Sequence, residues 1–172
     1  VMAQVLARAD LWGGLFRLKS LIETGSPSEL AHGLINAGVA TATGLISLAA
    51  FSILIGWQLS LLLIVALAIH EFGHLLAYKL IGQPWGRLMF LPFLGAIAVP
   101  RLPFHKQGEA VFAAPMGPGL SVLPAAAIAG LIYTGTLTAS WLIPVGLVMA
   151  GLNIFNLLPA EPLDGGMALR SV

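Results

Sequence analysis

The chain has 172 residues, 58% of them hydrophobic and 9% charged. Soluble domains carry about 25% charged residues, so the composition reads as that of a membrane protein. A net charge of +1 without a basic patch argues against nucleic acid as a partner. The absence of cysteine excludes disulfides, cysteine zinc sites and thiol nucleophiles, which leaves His and carboxylates as the available metal ligands.

Residues 1–25 do not read as a signal peptide, because Arg17 and Lys19 follow the apolar residues and no small-residue cleavage site is present. Leu11, Leu15, Leu18 and Ile22 keep helical spacing beside Arg8, Arg17 and Lys19, which predicts a helix lying in the membrane interface despite Gly13-Gly14. Ser26-Pro27-Ser28-Glu29 has the order of a capping box, so a helix is expected to start near Pro27. Two regions follow: an N-terminal interfacial segment over 1–35 and a transmembrane core over 36–172. The opening on Val1 and the finish just past a Gly pair are the pattern expected of a segment cut from a longer protein, with the core truncated at its C-terminus.

Four stretches reach the roughly 20 residues that cross a bilayer: Asn36 to Trp57, Leu59 to Ile81, Ala110 to Tyr133 and Leu137 to Leu158. The links at Gly56-Trp57-Gln58 and Thr134-Gly135-Thr136 are short, so the flanking spans should be antiparallel neighbours. With four crossings, Arg8, Arg17, Lys19, Lys79, Arg87, Arg101, Lys106 and Arg170 all fall on one side. The positive-inside rule makes that side cytosolic, together with the N-terminus. Between the second and third spans, Phe90 to Val99 is apolar but too short to cross and is punctuated by Pro92 and Gly95. It is expected to be a β-hairpin or extended segment dipping into the membrane where protein or a wet cavity shields its backbone. The fold class is thus an all-α membrane protein of about four transmembrane helices with one short hairpin. Gly117, Gly119, Gly146, Ala150 and Gly151 are expected to serve close helix packing.

The second span carries His70-Glu71-Phe72-Gly73-His74. Residues four apart share a helix face, so both imidazoles can reach one ion, and Glu71 stands beside them to handle a proton. Ionisable groups at membrane depth are costly and mark function. A catalytic zinc site needs a third protein ligand, and His105, Glu109, Glu161 and Asp164 lie on the same side of the bilayer. Asp164 is favoured because Gly165-Gly166 lets the backbone approach closely, with Pro159 and Pro162 turning the chain. His70 lies near mid-span, so the chain after Asn156 would have to fold back to bring Asp164 to it. Asn153 and Asn156 also fit as interhelical hydrogen-bond partners.

The HExxH element, together with Asn156-Leu157-Leu158-Pro159-Ala160-Glu161-Pro162-Leu163-Asp164-Gly165-Gly166, resembles the paired signatures of the site-2 protease family of intramembrane zinc metalloproteases. Phe90 to Val99 and Ala113-Ala114-Pro115-Met116-Gly117-Pro118 resemble that family's membrane-dipping hairpin and its turn into the next helix. The likeness covers about residues 59–170 and is to the compact microbial members without a PDZ module; Met167 stands where many members have a basic residue. The resemblance implies one zinc ion per chain held by His70, His74 and Asp164, with Glu71 as general base and Asn156 helping to position substrate. It implies an intramembrane endopeptidase of the cell membrane that cuts a transmembrane protein substrate, with any regulatory module or partner outside this chain. The alternative is a membrane zinc transporter or metal sensor using the same ligands. Transport predicts further midplane ligands along a path through broken helices, and the spans offer one cluster.

Overall fold

The computed structural model describes residues 27–135 and 142–170. The interfacial helix expected from Leu11 to Ile22, with Arg8, Arg17 and Lys19, lies outside the described residues.

Helix α1 runs over Pro27–Ile55 and α2 over Trp57–Leu80, with Gly56 alone between them. Gly56 sits at φ 80°, the left-handed region open to glycine, which lets two long helices reverse across a single residue. Helix α1 starts at Pro27, where the capping-box order placed a helix start, and its apolar stretch begins at Ala31, ahead of the expected Asn36. Strands β1 (Arg87–Leu91) and β2 (Gly95–Val99) form an antiparallel hairpin. Helix α3 (Gln107–Ala113) leads into α4 (Met116–Tyr133), α5 (Leu142–Asn156) and the short α6 (Asp164–Arg170).

Among the described residues, three helical stretches are long and apolar enough to cross a membrane: Ala31–Ile55, Trp57–Leu80 and Gln107–Tyr133. The third is interrupted at Ala114-Pro115. The fourth expected span, Leu137 to Leu158, is helical from Leu142 to Asn156, and residues 136–141 lie outside the described residues. The protein is therefore mostly helical and multi-pass, with the hairpin where the Pro/Gly pattern put it.

The outside and the inside of the bundle are sorted for lipid rather than water. Leu34, Ile53, Leu54, Leu123, Leu147 and Ile154 are exposed, whereas His70, Ser47, Ser60 and Ser121 are among the most deeply buried side chains. Lipid tails are as apolar as leucine, so helices in a membrane associate through close packing and polar contacts, with small residues between them. Gly73 in α2 meets α4 so closely that a Cβ would overlap the Met116 carbonyl and lie 2.8 Å from Gly117 Cα. Gly119 and Gly151 behave differently from the expectation, because a Cβ on either would meet open space.

The hairpin is held against both α1 and α2. Phe90 N–H donates to Thr43 Oγ1 at 3.1 Å, and Phe93 at the tip meets Phe51 edge-on at 6.4 Å. Tyr78 packs with Leu75, Ala77 and Ala113 in the main buried apolar cluster.

Candidate metal centre

Helix geometry alone brings the first two ligands together. His70 and His74 lie one turn apart on α2, with their Nε2 atoms 3.4 Å apart. Asp164 opens α6 and places Oδ2 2.9 Å from His70 Nε2 and Oδ1 3.2 Å from His74 Nε2. The fold-back needed to bring it there is present. Helix α5 ends at Asn156, and the chain turns through Ala160 N–H to Leu158 O at 2.8 Å and Leu163 N–H to Ala160 O at 2.9 Å. Gly165 and Gly166 make the return possible, since a Cβ on either would overlap the backbone of Leu157 to Glu161.

Of the other third-ligand candidates, none reaches the cluster. Glu109 accepts from the His105 backbone N–H at 2.9 Å and Glu161 pairs with Arg170 at 3.0 Å, so both are engaged outside the His70–His74 pair.

Each imidazole is oriented through its other nitrogen. The break between α3 and α4 presents the Ala113 carbonyl in the last turn of α3, where carbonyls lack helical partners. His74 Nδ1–H donates to it at 3.0 Å. His70 Nδ1 lies 3.4 Å from Asn153 Oδ1, which also accepts from the Ser121 hydroxyl. Gly117 gives His74 its room, because a Cβ there would overlap the imidazole. Close packing at Gly117 was expected between helices; the structure directs it at a candidate ligand.

The donor set fits a small divalent cation. His70, Glu71 and His74 are all buried and offer ligand atoms within 4.8 Å of one another. Tetrahedral bonds of about 2.0–2.1 Å separate neighbouring ligand atoms by roughly 3.3 Å, close to the observed 2.9, 3.2 and 3.4 Å. With His74 Nδ1–H donated to the Ala113 carbonyl, its Nε2 lone pair and the Asp164 carboxylate face one point, with His70 Nε2 at the third corner. Such a convergence repels itself unless a positive charge stands between them.

Glu71 lies beside this point, with the Ala98 backbone N–H close to its carboxylate. The hairpin explains why that group is available. Phe90 N–H turns away to Thr43, so Phe90–Ala96 is a non-hydrogen-bonded pair and, by alternation, Leu88–Ala98 is another. Ala96 and Ala98 therefore direct their backbone groups away from β1. Ala98 is met by α2, through Glu71 and through Tyr78 O–H to its carbonyl at 3.1 Å. The Asn156 amide donates to Leu152 O at 3.0 Å within its own helix.

The roles of Asn153, Ser121 and the Ala113 carbonyl were not legible as site features. Only the Pro115 break and one polar residue in an otherwise apolar turn signalled them.

No protein-family model matches the chain. A zinc metalloprotease of Methanocaldococcus jannaschii is 28% identical over 117 residues, which is 66% of this chain. The chain spans about a third, 34%, of that relative's length. Among solved structures, the site-2 protease from Methanocaldococcus jannaschii superposes with a TM-score of 0.58 at 28% identity, covering 74% of this chain and 61% of that one. With the buried HExxH cluster in place, the chain is similar to the Methanocaldococcus jannaschii site-2 protease in both sequence and membrane fold.

Proposed function

We propose that the chain is an intramembrane zinc metalloendopeptidase that hydrolyses peptide bonds in transmembrane or membrane-adjacent segments of protein substrates. The observation that carries this reading is the Asp164 carboxylate bridging His70 and His74 inside an apolar bundle, with Glu71 buried beside them. His70, His74 and Asp164 would hold one zinc ion. Bound there, zinc supplies Lewis acidity and a water acidified toward neutrality.

The chain's own residues supply the rest. Glu71 accepts a proton from the attacking water and returns it to the leaving amine. The apolar walls of α2 and α4 keep bulk water from the site and strengthen each electrostatic contact within it. A helical substrate hides its carbonyls in its own hydrogen bonds and must be unwound before it is cut. The backbone groups of Ala96 on the outer edge of β2 offer an unwound segment a strand to pair with, beside Glu71. Asn156 would release Leu152 and donate its amide to the substrate carbonyl.

Lys79, Arg87, Arg101, Lys106 and Arg170 fall at one end of the alternating helices, which supports a cytosolic active-site side in the cell membrane. The test is Glu71→Gln in the full chain, measuring bound zinc and cleavage of a reconstituted transmembrane substrate. Retained zinc with lost cleavage is expected. Unchanged turnover, or zinc movement across vesicles by the variant, would overturn the reading in favour of another activity.

A further inference from the structure

We propose that Asn153 is a positioning residue of the metal centre, whose side-chain oxygen holds His70 in the form that offers Nε2 to the cation. The inference rests on the zinc reading above. An imidazole that binds a metal through Nε2 carries its proton on Nδ1, and His70 Nδ1 faces Asn153 Oδ1 at 3.4 Å. That oxygen is itself steadied by the Ser121 hydroxyl from α4. Ser121 is 0% exposed, His70 1% and Asn153 5%, so no solvent competes for these bonds.

The arrangement ties three helices to one imidazole: His70 on α2, Ser121 on α4 and Asn153 on α5. It also accounts for a cost. Asn153 Nδ2 is buried without a hydrogen-bond partner among the described residues. Leaving such a group unpaired is destabilising, while Asn153 Oδ1 faces both the Ser121 hydroxyl and His70 Nδ1. An acceptor for His70 requires that orientation. Partners of this kind behind metal-binding histidines typically change metal affinity by 10–100-fold when removed.

The test compares zinc affinity, by chelator competition on the detergent-solubilised full chain, with the melting temperature of the metal-free protein. Asn153→Leu keeps the volume and removes the acceptor; it is expected to bind zinc about 10–100-fold more weakly. Asn153→Asp keeps an acceptor facing His70 and is expected to stay within about threefold of the original affinity. A packing role predicts the opposite order, because the aspartate buries a charge where the leucine does not. Ser121→Ala frees the Asn153 oxygen and is expected to weaken zinc by less than Asn153→Leu; it carries the test if the leucine variant does not fold. Original zinc affinity in Asn153→Leu or Ser121→Ala, or equal losses in Asn153→Leu and Asn153→Asp, overturns the inference and leaves the protease reading standing. An unaltered chain that takes up no zinc overturns both.

Discussion

Replacing Gly117 by alanine adds one methyl group at the point where α4 passes the site. The new Cβ would lie 2.7 Å from His74 Cε1 and 2.8 Å from Cδ2, with Nε2 nearer still. Carbon contacts settle at about 3.5–4.0 Å, so the ring or the helix must move by roughly 1 Å. The backbone of α4 has little room, because Gly73 already packs against Met116 and Gly117. The imidazole therefore gives way, losing its 3.0 Å bond to Ala113 O and its place beside Asp164. Metal sites tolerate about 0.2 Å in ligand distance, several times less than this shift. Cleavage should fall about 100-fold, as it does for other displacements near 1 Å, and zinc affinity should fall with it. Overpacking should cost about 1–3 kcal/mol of stability, partly offset by the ~1 kcal/mol helix preference of alanine over glycine. Gly119→Ala is the control: it lies on the same helix with nothing within 4 Å of its Cβ. Zinc affinity by chelator competition and cleavage of a reconstituted transmembrane substrate are the assays. Unaltered zinc binding and cleavage in Gly117→Ala would refute the packing argument, as would equal losses in the two variants.

Ala96→Pro removes the outward N–H of β2, so substrate cleavage should fall at least tenfold while bound zinc stays at one per chain; full cleavage would reject strand pairing at this edge. Tyr78→Phe deletes the 3.1 Å bond to Ala98 O and should lower stability by about 1 kcal/mol in thermal unfolding, with zinc content unchanged. Asn156→Ala should lower the turnover number about 10²-fold while leaving zinc affinity intact, and a loss of zinc instead would place Asn156 in the metal site.

Part of the site is local and part is not, and this divides what the amino-acid order reveals. His70 and His74 are one helical turn apart, so their convergence follows from the period of α2 alone. The hairpin was legible over Phe90 to Val99 for a similar reason, because Pro92 and Gly95 break an apolar run too short to span; the pairing extends back to Arg87. The return of Asp164 depends on the reversal between Asn156 and Leu163, and Gly165 hinted at it only as a place where backbones can meet. Asn153 shows the limit. A single amide in an apolar helix can face any neighbour, and only the packing of α5 against α2 and α4 decides that it faces His70. Asn156, three residues on, lies about one turn away and bonds its own helix instead. The start of α1 at Pro27 was legible from Ser26-Pro27-Ser28-Glu29, whereas the apolar span was drawn from Asn36, because hydropathy reports where lipid begins and the helix ladder continues past that edge.

Zinc K-edge absorption on the purified full chain, beside Asp164→Ala, addresses the metal centre most directly. One zinc per chain is expected, with two imidazole nitrogens and a carboxylate oxygen at about 2.0–2.2 Å, and loss of that oxygen in the variant. Fewer than two imidazoles around the metal, or an identical spectrum after Asp164 is removed, would contradict the site as drawn.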